Sequence, residues 1–207
     1  MKIICIGRNY SEHARELNNA VPEDPIVFMK PPSALLVSGK PLYYPEFTTA
    51  LHYEGEIVLQ IGKNGRHVQP EFAESYISGI GFGIDFTARD LQQQCKTKGL
   101  PWEIAKAFDG SAPISDMVPV EEFPDFPEIA FELHKNGTPV QTGNTKDMIF
   151  SITDIIVYVS RFFKLQMGDL IYTGTPAGVG PVQIGDKLEG FIRFPDGLRK
   201  MLECEIK

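Results

Sequence analysis

Two glutamates and an aspartate form the first pattern that could do chemistry. Glu54 and Glu56 are two residues apart, and a β-strand places residues at that spacing on one face. Two carboxylates about 4 Å apart repel by roughly 4 kcal/mol at an effective dielectric constant of 20. Asp85 follows a glycine-rich apolar stretch, 77–84, and can supply a third oxygen. A divalent cation is the simplest way to offset the repulsion, so the pattern predicts a metal site.

The residue types indicate which cation this site would hold. Three carboxylates with no matching histidine or cysteine cluster favour Mg²⁺ or Mn²⁺ over zinc. Octahedral Mg²⁺ would keep about three positions for water or substrate, which suits catalysis. The alternative is that Glu54 and Glu56 are a solvated strand edge and that Asp85 is a turn residue.

A second pattern pairs His13 with Glu16 on a short predicted helix that Ser11 can cap. Residues three apart share a helix face. A carboxylate beside an imidazole can orient it and raise its basicity. The alternative is a surface pair on a charged helix. The polar segment that follows, 18–24, is broken by Pro22 and is predicted to be a mobile connection.

Three further side chains are candidates for binding or proton transfer. Arg89 and Gln92 share a face of a helix predicted from a capping-box-like start at Thr87 to about Lys98. A guanidinium there suits a substrate carboxylate, although Arg89 could simply pair with Asp85. Lys106 has small, apolar neighbours, and burial would lower its pKa and let it transfer protons; a surface lysine is the alternative.

Length and composition exclude several classes of protein. The 207 residues suit one domain, 1–207, and the 43% hydrophobic content is ordinary for a soluble globular protein. No apolar run approaches the length of a membrane span, and the first residues are too short for a signal peptide. Three widely spaced cysteines indicate reduced thiols and a cytoplasmic protein. The net charge of −7 argues against nucleic-acid binding.

The predicted elements favour an α+β fold. Strands outnumber helices and do not alternate regularly with them. Ser151 and Asp154 predict a capping box at the start of an apolar helix, and hairpin turns are predicted at Asn136–Gly137 and at 195–197. Trp102 is expected to serve packing.

Five short motifs occur in order along the chain, at 7–10, 52–56, 83–90, 98–102 and 173–176. Together they resemble the fumarylacetoacetate hydrolase family, and most closely its short single-domain branch of acylpyruvases and oxaloacetate decarboxylases. The resemblance extends from residue 3 to about residue 190. It implies a mixed β-rich fold with β/β/α layers and a homodimer.

The resemblance also assigns roles to residues. His13 and Glu16 stand where the family carries a catalytic dyad on a mobile lid, here within 1–25. Lys106 matches a catalytic lysine, and Lys30 matches a lysine near the site, although a surface position for Lys30 is the alternative. The expected substrate-binding residues are Arg8, Arg89, Gln92 and Thr175, and the expected metal ligands are Glu54, Glu56 and Asp85.

The implied function is a Mg²⁺- or Mn²⁺-dependent hydrolase or lyase acting on small 2-oxo acids. It would hydrolyse acylpyruvates, decarboxylate oxaloacetate, or both, through a metal-stabilised enolate. The alternatives are an oxaloacetate keto–enol tautomerase, an isomerase or decarboxylase of aromatic-degradation diacids, and a non-catalytic metal-stabilised binding protein. Long-chain hydrolases of the family carry an N-terminal domain and a fourth acidic ligand, and neither is expected here. Fumarylacetoacetate itself is therefore a poor substrate candidate.

Overall fold

The computed structural model describes residues 1–16 and 21–207, without the side chain of Ala14. Residues 18–20 of the predicted mobile connection lie outside these ranges. None of the helices in the described ranges is long and apolar enough to cross a membrane.

The described chain is rich in strands and has few, short helices, which confirms the α+β prediction. The helices are α1 (Ser11–Glu16), α2 (Arg89–Lys98), α3 (Glu103–Lys106) and α4 (Ile152–Phe162). The strands are β1 (Ile3–Gly7), β2 (Ile26–Lys30), β3 (Leu35–Val37), β4 (Leu51–Tyr53), β5 (Gly55–Ile61), β6 (Ile77–Ile84), β7 (Thr87–Ala88), β8 (Ala112–Ile114), β9 (Val118–Pro119), β10 (Ala130–Lys135), β11 (Thr138–Asn144), β12 (Leu170–Tyr172), β13 (Gly180–Pro181), β14 (Lys187–Phe194) and β15 (Gly197–Glu205).

Within the described ranges, the strands form three sheets. The largest has the order β2-β1-β12-β5-β6-β8-β3, with β9 also paired to β6. It is mixed, since β1 is parallel to β12 and β3 to β8, whereas β5 and β6 are antiparallel. The second sheet has the order β11-β10-β14-β15, and the third has the order β13-β4-β7.

The pairing of β5 with β6 determines where the acidic residues meet. Glu56 lies opposite Gly83, and Gly55 lies opposite Ile84. Asp85 follows the end of β6, and its backbone N–H donates to the carbonyl of Glu54 at 2.8 Å. Residues 30 apart in sequence are thus fixed side by side by strand register.

Two local predictions about this region are wrong. Glu54 and Glu56 do not lie on one strand, because Glu54 is at the junction between β4 and β5, which belong to different sheets. Thr87 does not cap a helix: it lies in β7, and its hydroxyl donates to the carbonyl of Asp85. Helix α2 begins at Arg89, and its N-cap residue, Ala88, has no side chain that can cap.

Other elements agree with the sequence. The capping box of α4 is present: Ser151 Oγ accepts from the N–H of Asp154 at 3.1 Å, and the Asp154 carboxylate accepts from the N–H of Ser151 at 2.9 Å. Both hairpins form, between β10 and β11 and between β14 and β15. The side chains that α4 buries in the core are Ile152, Ile155, Ile156 and Val159.

Candidate active site

The three predicted metal ligands form one buried cluster. Glu54, Glu56 and Asp85 each contribute a carboxylate oxygen, and these atoms lie within 4.8 Å of one another. The three residues are only 6%, 2% and 1% exposed. Water cannot screen charges at such depth, so the surrounding side chains must balance them.

Three cationic side chains surround this carboxylate cluster. Lys106 Nζ lies 2.8 Å from Glu54 Oε2 and 2.5 Å from Asp85 Oδ2. Lys30 Nζ lies 2.8 Å from Asp85 Oδ1, and Arg89 donates to Glu54 Oε1 at 2.6 Å. Lys30 is therefore buried at the site, and the alternative of a surface lysine is wrong. It also donates to the carbonyl of Lys106.

The cations are distributed unevenly among the carboxylates. Burial alone would raise the pKa of Glu54, but Lys106 and Arg89 outweigh it and hold the pKa well below its usual range. Glu56 has no ion-pair partner in the described ranges. Burial, together with the charges of Asp85 and Glu54, raises the pKa of Glu56 well above its usual range. The cluster therefore lacks positive charge near Glu56.

Lys106 is buried as predicted, but its pKa moves in the other direction. Burial acts to lower the pKa of Lys106, yet the carboxylates of Asp85 and Glu54 outweigh burial and raise it. The prediction of a lowered pKa was made for burial near a metal and did not include the two ion pairs, which set the direction in the metal-free protein. Lys106 is thus held in its charged form, which can donate a proton or stabilise negative charge.

A glycine-containing loop holds one oxygen of Glu56 in place. The backbone N–H of Gly174 donates to Glu56 Oε2 at 2.7 Å. Gly174 has a φ of +106°, and a Cβ there would lie 2.7 Å from the Cβ of Asn9, so only glycine fits. Asn9 is buried and donates to the carbonyl of Thr173 at 2.8 Å. The loop is thereby tied to the residues just before α1.

Helix α1 covers the cluster and carries the predicted dyad. His13 is 4% exposed, and its Nδ1 lies 3.3 Å from Glu16 Oε2. Burial lowers the pKa of His13 even though Glu54 and Glu16 act to raise it. The imidazole is therefore neutral at neutral pH and can accept a proton. Glu16 also accepts from the N–H of Gly178, at 3.2 Å and 3.3 Å, which fastens α1 to the loop after β12.

These groups lie at a small, partly open cavity of about 30 Å³. A water molecule needs about 10–15 Å³, so the cavity in this form holds no substrate-sized molecule. Part of its wall must move for a substrate to reach the carboxylate cluster. The lining residues are Gly7, Arg8, His13, Phe28, Glu54, Arg89, Gln92, Lys96, Trp102 and Lys106.

Four of these lining residues were not predicted as site residues, namely Gly7, Phe28, Lys96 and Trp102. Trp102 contributes a wall of the cavity as well as packing, and Lys96 lies above its ring, with Nζ 5.7 Å from the ring centroid. Lys96 is seven residues after Arg89 on α2, a spacing of two helical turns that returns to the same face. That spacing could have identified Lys96 as a site residue.

The remaining predicted binding residues differ in whether their hydrogen-bonding groups are available to a ligand. Arg8 and Gln92 line the cavity, and Gln92 accepts a hydrogen bond from Arg89 at 2.8 Å. Thr175 is buried outside the lining. Its hydroxyl donates to the carbonyl of Gly55 at 2.9 Å and accepts from Gln141 at 2.8 Å. In this arrangement the Thr175 hydroxyl connects β5 to β11, and its proton is not available to a ligand.

The carboxylate cluster fits a hard divalent cation. All of its donors are oxygens, as Mg²⁺ and Mn²⁺ prefer. Asp85 Oδ1 is buried and has no hydrogen-bond partner in the described ranges, although Lys30 is within ion-pair distance. Glu56 also needs positive charge. Glu54, Glu56 and Asp85 would therefore hold the ion.

Comparison with known proteins identifies the family of this chain. A family model described as "Fumarylacetoacetate (FAA) hydrolase C-terminal" matches residues 2–202. The chain belongs to the fumarylacetoacetate hydrolase family. The resemblance inferred from the five motifs is thus confirmed.

Relatives within the fumarylacetoacetate hydrolase family are named as enzymes. The chain is 46% identical over 190 residues to human "Oxaloacetate tautomerase FAHD1, mitochondrial", covering 92% of this chain and 86% of that protein. It is 44% identical over 188 residues to Escherichia coli K12 "Oxaloacetate tautomerase YcgM", covering 90% and 86%. The prediction that this chain is an enzyme is confirmed.

A solved structure of the same family gives the fold. The structure of fumarylpyruvate hydrolase from Pseudomonas aeruginosa in complex with Mn²⁺ and pyruvate matches with a TM-score of 0.92 and 39% identity. The match covers 100% of this chain and 89% of that one. The predicted fumarylacetoacetate hydrolase-like fold is therefore confirmed.

Proposed function

We propose that this protein is a divalent-metal-dependent keto–enol tautomerase of oxaloacetate. The observation that carries the proposal is the buried cluster of Glu54, Glu56 and Asp85 at a small cavity lined by cations. The oxaloacetate tautomerases among the relatives, at 43–46% identity, favour this substrate. The bound cation, Mg²⁺ or Mn²⁺, would polarise the 2-oxo group and stabilise enolate charge.

The residues of the chain account for the proton transfers of tautomerisation. In the keto-to-enol direction, C3 loses a proton and the 2-oxo oxygen gains one. His13 is neutral and faces the cavity, so it is suited to remove the C3 proton. Lys106 is held charged and is suited to stabilise the oxygen and to donate to it. Glu16 contacts His13 Nδ1, which leaves Nε2 for the substrate.

Substrate orientation would come from the cationic wall, which consists of the cavity-lining side chains Arg8, Arg89, Lys96 and Lys106. Arg89 presents a guanidinium beside Gln92, and its Nε is buried with no hydrogen-bond partner in the described ranges. A carboxylate of the substrate could accept from this group. Closure of α1 would exclude water, and electrostatic interactions strengthen in a dry site.

Acylpyruvate hydrolysis is a second candidate function for the same site. The His13–Glu16 contact favours it, as does the match to a hydrolase with pyruvate bound. His13 would take a proton from water, whose oxygen attacks the distal carbonyl. The bond between that carbonyl and C3 then breaks, and Lys106 protonates C3 to give pyruvate. Oxaloacetate decarboxylation would use the same enolate without a water nucleophile.

A side-by-side assay separates these reactions. Oxaloacetate tautomerisation, oxaloacetate decarboxylation and acetylpyruvate hydrolysis are measured with Mg²⁺, with Mn²⁺ and with EDTA. The proposal predicts metal-dependent tautomerisation as the fastest of the three. If acetylpyruvate cleavage is faster, the hydrolase assignment replaces it. No metal-dependent change in either substrate would contradict both assignments and favour a longer diacid or a binding protein.

For the compartment and the assembly, the proposal keeps what the sequence predicts. We propose a cytoplasmic homodimer whose partner is a small 2-oxo acid, with no nucleic-acid or membrane ligand. The human relative is named as mitochondrial, and a mitochondrial location is the alternative. Sedimentation equilibrium and fractionation of the source cells test the two statements.

A further inference from the structure

Lys96 brings a positive charge to the cavity that no carboxylate neutralises. It lies on α2, lines the cavity and is half-buried, with its ammonium over the ring of Trp102. No acidic side chain in the described ranges is within ion-pair distance of it. Residues 17–20, outside those ranges, are Leu-Asn-Asn-Ala and carry no charge.

Arg8 is a second unneutralised cation facing the same cavity. It lies between β1 and α1 and has a φ of +57°, which is uncommon for a residue with a side chain. Such a conformation costs free energy and concentrates at functional sites. Arg8 makes no ion pair with a carboxylate in the described ranges, and burial lowers its pKa.

The other cations at the site are already paired with carboxylates. Lys30 pairs with Asp85, Arg89 pairs with Glu54, and Lys106 pairs with both. Arg8 and Lys96 line the cavity without such a partner in the described ranges, and their charges repel each other. Burial, together with the charges of Arg8 and Arg89, lowers the pKa of Lys96 to about 8. An anion between Arg8 and Lys96 would relieve this repulsion.

We propose that Arg8 and Lys96 form a subsite for a second carboxylate of the substrate, which makes the enzyme selective for 2-oxo dicarboxylates. The inference deepens the proposed function, and it rests on it. The carboxylate next to the 2-oxo group would lie at the metal and Arg89, and the distal carboxylate would lie at Lys96. A substrate with a neutral distal end would leave the two cations unpaired. A polar site rejects an analogue that lacks the matching polar group because binding it leaves buried groups of the site unpaired.

The test uses two ligands that differ at the distal end alone. Oxaloacetate carries a carboxylate where 2-oxobutyrate carries a methyl group. The kcat/KM for oxaloacetate tautomerisation and the inhibition constant of 2-oxobutyrate in the same assay are measured for wild type, Lys96→Gln and Lys96→Arg. For Lys96→Gln the proposal predicts that kcat/KM falls about tenfold or more, as expected for loss of a charged hydrogen bond. The inhibition constant should stay within about twofold.

The matched variants separate a subsite from a structural effect. Lys96→Arg keeps the charge and should retain most of the preference. An equal loss for both ligands in Lys96→Gln, or no loss for either, would overturn the subsite while leaving tautomerisation intact. If wild type shows no tautomerase activity, the proposed function fails separately. Calorimetric binding of the two compounds to the Mg²⁺-loaded protein then tests the subsite, and equal affinities would overturn it.

Discussion

The carboxylate cluster and helix α1 supply charged groups to one cavity, but they are held there very differently. Glu54, Glu56 and Asp85 are fixed by the register of β5 and β6 and by buried ion pairs. Helix α1 has six residues and is fastened near its end through Glu16, which is exposed. Isolated helices of that length are not stable without tertiary contacts.

The difference indicates how binding and chemistry are divided. The carboxylate cluster is preorganised, so it can bind a cation without rearrangement of the backbone. The cavity is too small for a substrate, so part of its lining must move, and the six-residue helix α1 contributes His13 to that lining. Substitutions in the cluster should weaken metal binding. Substitutions in α1 should slow the reaction and leave metal binding unchanged.

The largest effect is expected from removing a carboxylate of the cluster. In Glu56→Ala, turnover should fall to the level of the EDTA-treated enzyme, because the ion loses a ligand held by Gly174. Mn²⁺ binding, measured by calorimetry, should weaken in parallel. Full activity with wild-type Mn²⁺ affinity would show that Glu56 is not a ligand.

A large effect of another kind is expected from helix α1. His13→Ala should reduce oxaloacetate tautomerisation by about 10²- to 10⁴-fold, the usual contribution of a general base. Mn²⁺ affinity should stay at the wild-type value. Lost Mn²⁺ affinity would erase the distinction between the two regions, and unchanged turnover would remove His13 from the mechanism.

The stability of the metal-free protein should report the uneven charge in the cluster. The pKa of Glu56 is raised in the folded state, mainly by burial. The folded protein therefore binds more protons than the unfolded chain as pH rises above about 4.3, and this residue's contribution to stability falls. Glu56→Gln should raise the metal-free melting temperature more at pH 8 than at pH 5. An equal shift at both pH values would contradict the pKa direction.

A smaller effect is expected from pH at the cationic wall. Lys96 has a pKa of about 8, lowered by burial and by Arg8, Arg89 and Lys106, with Glu54 acting in the opposite direction. Its ammonium loses its proton as pH rises through that value. The kcat/KM for oxaloacetate should therefore decline above pH 8 in wild type but less in Lys96→Arg, whose guanidinium stays charged. Parallel profiles for the two proteins would contradict this assignment.

The smallest effect on activity is expected away from both regions. Ser151→Ala removes the N-cap of α4 and should destabilise the protein by about 1 kcal/mol. That corresponds to roughly 2–4 °C in melting temperature for a chain of this size. Turnover at 25 °C should be unchanged. A large loss of turnover would show that α4 contributes to the site.

The sequence was informative where chemistry depends on residue type, and less so where it depends on sheet geometry. Carboxylates that suit a metal, and a histidine three residues from a glutamate, can be recognised from spacing. The position of Glu54 at the junction between two sheets cannot be recognised from spacing, because it depends on long-range strand pairing. The raised pKa of Lys106 in the metal-free protein could not be predicted for the same reason. Its two ion pairs come from residues 52 and 21 positions away.

The central claim is that the carboxylate cluster binds a divalent cation that makes oxaloacetate enolise. The most direct measurement is a Mn²⁺ titration of metal-free enzyme, with binding followed by electron paramagnetic resonance and tautomerisation followed in the same samples. Mn²⁺ binding and tautomerisation should saturate together at one ion per chain, and Glu56→Gln should weaken both the binding and the activity. Tautomerisation at the full rate before Mn²⁺ is added would contradict this claim.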